Sequence, residues 1–90
     1  MHKNDQEFYC CRVCGLIQGD QPWGEGGQCA SFNICGCCGV TFGYQDCTPE
    51  YVKKYRTEWL KKGGKWFTPD EKPADWSLEK QMEGIPEAFR

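Results

Sequence analysis

The chain has 90 residues, eight of them cysteine, and a formal net charge of −2. A chain of this length predicts one domain, residues 1–90, whose small core needs a bound metal or disulfides as support. The weak negative charge excludes long-range attraction of the whole molecule to nucleic acid. No apolar stretch is long enough to predict a transmembrane helix, so we expect no membrane partner.

The first seven residues are polar and lack the apolar stretch of a secretory signal peptide. We therefore expect a cytoplasmic protein. In that reducing compartment, closely spaced cysteines bind metal and do not pair as disulfides. His2, the one histidine in the chain, lies in this polar segment and is not expected to be a ligand.

The strongest motif is a Cys-x-x-Cys-Gly unit that occurs twice, as knuckle 1 (residues 11–15) and knuckle 2 (residues 35–39). Twenty residues separate Cys14 from Cys35, at the upper edge of the spacing typical of four-cysteine zinc sites. Two thiolates from each turn complete a tetrahedron around one ion. The pattern predicts a single zinc ion with four ligands: Cys11, Cys14, Cys35 and Cys38.

Four cysteines remain outside this set: Cys10, Cys29, Cys37 and Cys47. They contain no Cys-x-x-Cys pair, so we expect small buried side chains and not a second metal site. A reactive thiol among them stays open, because reactivity depends on exposure and pKa. Cys37 could replace Cys38 as a ligand, but Gly39 follows Cys38 as Gly15 follows Cys14, which favours Cys38.

Aromatic and β-branched residues flank each knuckle, a pattern typical of short strands. Residues 8–9 and 16–17 predict one hairpin, and residues 32–34 and 40–42 predict a second. The predicted fold class is therefore a small α+β metal-bound domain, in which residues 8–47 form a zinc ribbon.

The loop between the two hairpins contains one bulky apolar side chain, Trp23. We expect Trp23 to fold back over the metal site. The alternative is an exposed aromatic anchor for a partner.

Residues 48–90 predict a helix and then an irregular segment that packs on it. Thr48 is a suitable N-cap, Pro49 suits the first helical position, and Gly63 after Lys62 suits the end. The helix is predicted from Pro49 to Lys62. Its apolar residues recur at helical spacing; the predicted buried stripe is Val52, Tyr55 and Trp59, widened by Tyr51 and Leu60.

The last segment, residues 65–90, has no long periodic pattern, although residues 77–83 could form two helical turns. We expect its apolar side chains to bury against the helix and the hairpins. They are Trp66, Phe67, Trp76, Leu78, Met82, Ile85 and Phe89.

The knuckles and their flanks resemble known metal-binding families. Residues 8–17 paired with residues 35–40 look like the two knuckles of rubredoxin and zinc-ribbon domains, and residues 32–46 are similar to small bacterial cysteine-rich proteins of the CPCC type. Gly36 stands where that type commonly has Pro. The resemblance implies a metal-bound ribbon of bacterial origin and brings no established activity. It also raises iron as the alternative to zinc, because rubredoxins hold one iron for electron transfer.

The predicted site is closed to substrates. A catalytic zinc needs an open coordination position, and four thiolates would leave none. The sequence also lacks a Ser-His-Asp set and a phosphate-binding glycine loop. The leading prediction is a non-enzymatic zinc-ribbon protein that binds another protein, and an iron electron carrier is the first alternative.

A second alternative is nucleic-acid binding through the helix. Six basic residues lie within thirteen positions: Lys53, Lys54, Arg56, Lys61, Lys62 and Lys65. Tyr55 and Trp59 are interleaved with them, which is suitable chemistry for phosphate contact and base stacking. We favour the simpler interpretation, a solvated helix face that covers an aromatic core stripe.

Overall fold

In the part of the chain that the structure describes, the regular secondary structure is helical. The computed structural model describes residues 8–24 and 27–90, and the expectation for His2 lies outside these ranges. The elements are helix α1 (Pro49–Lys61), a 3-10 turn (Pro69–Glu71), helix α2 (Leu78–Met82) and a second 3-10 turn (Glu87–Phe89). Within the described ranges, no helix has both the length and the apolar character needed to cross a membrane.

Each knuckle is closed by one isolated antiparallel bridge. Cys10 pairs with Ile17 around knuckle 1, and Ile34 pairs with Thr41 around knuckle 2. The described part of the chain contains no strand, so the predicted two-hairpin ribbon is not confirmed. Around knuckle 2 the reason is local, because the chain turns again directly after the bridge, where Tyr44 N–H donates to Thr41 O at 3.0 Å.

The two knuckles repeat the same backbone hydrogen bond at positions 24 residues apart in the sequence. Gly15 N–H donates to Cys11 O at 2.9 Å, and Gly39 N–H donates to Cys35 O at 3.0 Å. Both glycines have a positive φ, 85° for Gly15 and 80° for Gly39. Glycine adopts this conformation without the steric cost of a Cβ, which explains why it follows each cysteine pair.

Helix α1 begins and ends with the predicted signals. The Thr48 hydroxyl accepts the N–H of Tyr51 at 3.2 Å, and Pro49 occupies the first helical position. The helix ends at Lys61, one residue before the predicted end, and Gly63 follows with a φ of 103°. The helix prediction is therefore confirmed. Local side-chain and backbone chemistry sets both of its boundaries.

The buried side of α1 is narrower than predicted. Val52 is fully buried and Trp59 is 7% exposed, while Tyr55 is half-buried. Tyr51 and Leu60 are exposed, so their assignment to the buried stripe was wrong. Successive residues of a helix point about 100° apart, which turns both side chains away from the centre of the stripe.

The C-terminal segment packs on the rest of the chain with one exception. Trp66 and Ile85 are buried, and the other predicted core residues of the segment are half-buried, but Phe67 is 60% exposed. The backbone N–H of Phe67 donates to Cys37 O at 2.9 Å, and the ring lies on the surface against Gly39. The described residues form a small compact domain, and the Cα radius of gyration is 12.0 Å.

Candidate metal centre

Four buried thiols meet between the two knuckles. All four sulfur atoms lie within 4.8 Å of one another, and they belong to Cys11, Cys14, Cys35 and Cys38. The shortest distances that the structure gives join sulfurs of different knuckles, at 3.7 Å for Cys11–Cys38 and 3.6 Å for Cys14–Cys35.

These distances suit a bound metal. A disulfide needs about 2.05 Å between its sulfurs, whereas tetrahedral zinc with Zn–S bonds of about 2.3 Å separates them by about 3.8 Å. The four cysteines are therefore arranged to hold a metal ion. They are the residues that the knuckle spacing had predicted, and their binding of an ion stays a prediction.

Two donors reach the sulfur atoms from outside the set of four. The backbone N–H of Val13 donates to Cys11 Sγ at 3.4 Å. The side-chain amide of Gln18 donates to Cys35 Sγ at 3.5 Å. Hydrogen bonds of this kind favour the thiolate form, which is the form that binds a metal.

The thiols also act on one another. The hydrogen bond with Cys11 is the largest cause that raises the pKa of Cys14, and burial is the largest cause that raises the pKa of Cys38. Hydrogen bonding from Cys11 lowers the pKa of Cys35. Protons therefore remain on part of the cluster until a cation replaces them, so metal binding releases protons and weakens as the pH falls.

The outer carbonyls of knuckle 1 are bonded by side chains from the helices. The Arg56 guanidinium on α1 donates to Val13 O at 2.7 Å and to Arg12 O at 3.0 Å. The Gln81 amide on α2 donates to Cys14 O at 3.3 Å. Since a buried carbonyl without a partner is costly, these two side chains stabilise the turn that carries two of the thiols.

In knuckle 2, the three equivalent backbone carbonyls also accept hydrogen bonds. Residues 67–68 donate their backbone N–H groups to Cys37 O at 2.9 Å and to Gly36 O at 2.8 Å. The Tyr55 hydroxyl on α1 donates to Cys38 O at 3.1 Å. Helix α1 thus bonds to both knuckles, and the C-terminal half of the chain encloses the cluster.

Arg56 also brings a positive charge close to the thiols. Burial lowers the pKa of its guanidinium, while the nearby Cys11, Cys14 and Cys38 raise it. A divalent ion with four thiolates carries a net charge of −2, so a half-buried cation beside it is favourable. Sequence reasoning had considered Arg56 as a nucleic-acid contact and had missed this location, because the carbonyl partners lie more than forty positions away.

We expect Arg56→Met to destabilise the metal-loaded protein by about 2–4 kcal/mol, because three part-buried carbonyls, those of Arg12, Val13 and Phe89, lose a charged donor. Arg56→Lys should recover only part of the loss, since the ammonium keeps the charge but lacks the planar fork of donors. Chemical denaturation measures both effects. Lys53→Met, an exposed change on the same helix, is the control and should be nearly neutral. An equal effect of Lys53→Met and Arg56→Met would contradict this role.

The four remaining cysteines divide into two groups. Cys10 and Cys37 are buried, as expected, but Cys29 and Cys47 are exposed and the expectation of burial was wrong for them. Cys29 lies in the loop between the knuckles, and Cys47 precedes the N-cap of α1. Cys37 is outside the set of four, and its sulfur accepts the Gln81 amide at 3.2 Å.

Trp23 folds back on the protein and is half-buried. Its indole N–H donates to Asp46 Oδ2 at 2.8 Å, and the Arg12 guanidinium lies 4.1 Å from its ring centroid. Asp46 is fully buried and also accepts the Gly43 N–H at 2.7 Å. Trp23 therefore connects the loop to knuckle 1 and to the turn before α1. Its position over the metal site stays a prediction. No sequence signal had singled out Asp46.

The five lysines of the basic group are exposed, whereas its two interleaved aromatics take part in the fold. Trp59 is 7% exposed and its indole N–H donates to Lys65 O at 2.9 Å. Tyr55 is bonded to knuckle 2. The lysine charges therefore lie on the surface, while Tyr55 and Trp59 are held in the fold and do not offer their rings for base stacking.

The chain is similar to two curated bacterial proteins. It is 31% identical over 87 residues to the uncharacterised protein YoaQ of Bacillus subtilis (strain 168), a match that covers 78% of this chain and 72% of YoaQ. It is 30% identical over 87 residues to the uncharacterised protein YozI of the same organism, covering 77% of this chain and 70% of YozI. No protein-family model matches the chain, and no solved structure matches it.

Proposed function

The chain belongs to the family of the Bacillus subtilis proteins YoaQ and YozI, and we propose that it is a non-enzymatic cytoplasmic protein whose fold depends on one structural zinc ion. The observation that carries the proposal is the buried set of four thiols within 4.8 Å. Four sulfur ligands fill a tetrahedral coordination sphere and leave no position for a substrate. The finer fold type that we propose is a zinc ribbon, supported by the antiparallel bridge at each knuckle.

The composition of the core supports a structural role for the metal. Among the described residues, six of the thirteen buried apolar side chains are cysteines. Such small side chains bury little area each, so their hydrophobic contribution is modest. A zinc ion contributes on the order of 10–16 kcal/mol to the folding of small domains. The ion would thus replace the large core that a short chain lacks.

Metal analysis of purified protein tests the identity of the ion. We expect one zinc ion per chain and a colourless protein. One ferric ion per chain and a red colour would instead indicate the electron carrier, because tetrathiolate sites accept either metal. Metal-free protein reloaded with zinc or with iron provides reference samples for both spectra. A protein that folds with neither ion would contradict the structural role.

For the partner, we propose another protein. The support is a set of aromatic side chains on the surface, since aromatic residues are enriched in protein interfaces. Phe32, Tyr44 and Phe67 are 59%, 67% and 60% exposed. Affinity capture with the metal-loaded chain tests the proposal, and a variant with all three aromatics replaced by Ser is the control. Capture of the same proteins by the variant would count against a role for these three side chains in binding.

Nucleic-acid binding is the weaker proposal. Its support is the exposed group of Lys53, Lys54, Lys61, Lys62 and Lys65. Binding through phosphates weakens steeply with added salt, so titration of RNA and DNA at low and moderate salt tests it directly. An absence of salt-sensitive binding would exclude this alternative.

A further inference from the structure

A cleft of about 340 Å³ lies on the surface between α1 and the turn that precedes it. Six residues line it: Tyr44, Gln45, Tyr51, Lys54, Tyr55 and Glu58. Its volume falls at the lower end of the range of small-molecule sites, about 300–1,000 Å³. Half of the lining residues are tyrosines, and the two charged residues have opposite signs.

The walls of the cleft are held in place by contacts of the fold. Tyr51, Lys54, Tyr55 and Glu58 share one face of α1, because residues three and four apart are neighbours on a helix. The hydroxyl of Tyr55 is fixed by its hydrogen bond to knuckle 2.

The opposite wall comes from the turn that carries Tyr44. The buried carboxylate of Asp46 accepts the N–H of Gly43 at 2.7 Å, and Arg12 donates to Asp46 O at 3.0 Å. The first contact closes the turn on itself, and the second holds the turn against knuckle 1. Tyr44 and Tyr51 are 67% and 59% exposed, so a ligand can reach the cleft directly from solvent.

The residues that line the cleft favour a cation that has an apolar surface. Aromatic side chains attract quaternary ammonium groups through the negative faces of their rings, and a nearby carboxylate adds to the attraction. A trimethylammonium group has no N–H to satisfy, so it needs no hydrogen-bond acceptors from the cleft. The three tyrosines and Glu58 supply this combination.

Lys54 completes the charge pattern. It lies one helical turn from Glu58, and residues at this spacing have Cβ atoms about 6 Å apart. A simple cation would be repelled by the Lys54 ammonium. A ligand that carries a carboxylate a few bonds from its ammonium would pair with Lys54 and Glu58 together.

We propose that this cleft binds a zwitterionic quaternary ammonium compound of the betaine class. The trimethylammonium group lies among Tyr44, Tyr51 and Tyr55 beside Glu58, and the carboxylate pairs with Lys54. This inference does not depend on which ion the cysteines hold, because none of the lining residues is one of the four cysteines.

A titration of the metal-loaded full chain, followed by ¹⁵N–¹H NMR spectra, tests the proposal with matched probes. Glycine betaine should give saturable shifts at the amides of Tyr44, Tyr51 and Lys54. Its carbon isostere 3,3-dimethylbutanoate keeps the shape and the carboxylate but lacks the positive charge, and should bind about tenfold more weakly. Choline lacks the carboxylate and should also bind more weakly. Phosphocholine, the zwitterion of lipid headgroups, separates a carboxylate ligand from a phosphate ligand.

Three substitutions at exposed positions assign the roles. Tyr51→Leu and Glu58→Gln should each weaken glycine betaine binding about fivefold to tenfold. Lys54→Met should remove the preference for glycine betaine over choline. Phe67→Leu is the matched control and should leave binding unchanged, because Phe67 is 60% exposed and does not line the cleft.

Four results would overturn the proposal. The first is the absence of a saturable shift with glycine betaine up to about 50 mM, a concentration at which even very weak sites fill. The second is equal affinity for the isostere, and the third is tighter binding of phosphocholine. The fourth is unchanged binding of glycine betaine to Tyr51→Leu. The metal content of every sample is measured in parallel, so a loss of binding through loss of the fold is recognised.

Discussion

Removal of the metal is expected to unfold α1 and both knuckles in a single transition. A helix of 13 residues is marginal on its own in water. Val52 and Trp59 of α1 are buried in the same apolar cluster as the cysteines, and Arg56 bonds to the carbonyls of knuckle 1. Loss of about 10–16 kcal/mol of metal binding matches or exceeds the net stability of a small domain, about 5–15 kcal/mol.

Two signals recorded in one chelator titration measure this effect. Far-ultraviolet circular dichroism reports the helix, and a chromophoric indicator reports the released ion. The two curves should coincide, as a two-state transition requires. Readdition of zinc should restore the helical signal, which excludes irreversible damage. A helical signal that survives complete metal release would show that residues 48–90 fold independently of the knuckles.

Cys14→Ser is expected to remove most of the bound metal and to destabilise the fold by on the order of 5 kcal/mol or more. The sulfur of Cys14 lies 3.6 Å from that of Cys35 inside the closed set of four. A hydroxyl stays protonated at neutral pH and is a poor ligand for a soft metal site. Metal content and thermal unfolding measure the two effects.

Substitutions at cysteines outside the set of four are the matched controls for Cys14→Ser. Cys29 and Cys47 are exposed and lie outside the set of four. Each of these changes to Ser should keep one ion per chain and alter stability by no more than about 0.5 kcal/mol. Cys37→Ser tests the alternative ligand and should also retain the ion. Full occupancy in Cys14→Ser, or loss of metal in Cys37→Ser, would refute the ligand assignment.

The features that the sequence predicted well are local ones. The N-cap at Thr48 and the positive φ of Gly63 depend on a few neighbouring residues, so α1 was visible in the pattern. The meeting of the four thiols was also predictable, because each Cys-x-x-Cys-Gly unit encodes one short turn. Joining the two turns required only their spacing.

The features that sequence reasoning missed arise from contacts between distant residues. Residues 32–34 have the composition of a strand, yet the chain turns too soon after the bridge for a ladder to form. Arg56 looks like one more surface cation until its carbonyl partners are known. Exposure of Phe67 likewise depends on the backbone bonds between residues 67–68 and knuckle 2, which no periodicity reveals.

The partners of the knuckle carbonyls have a consequence for the order of events during synthesis. Tyr55 lies 17 positions after the residue that it bonds in knuckle 2, and Gln81 lies 67 positions after its partner in knuckle 1. Each of these contacts closes a loop, and the entropic cost of that closure has to be met before the contact stabilises the fold. Because synthesis runs from the N-terminus to the C-terminus, the four thiols leave the ribosome before the residues that enclose them in the finished fold. During that interval, the thiols compete for metal and meet oxidants without the protection of the finished fold.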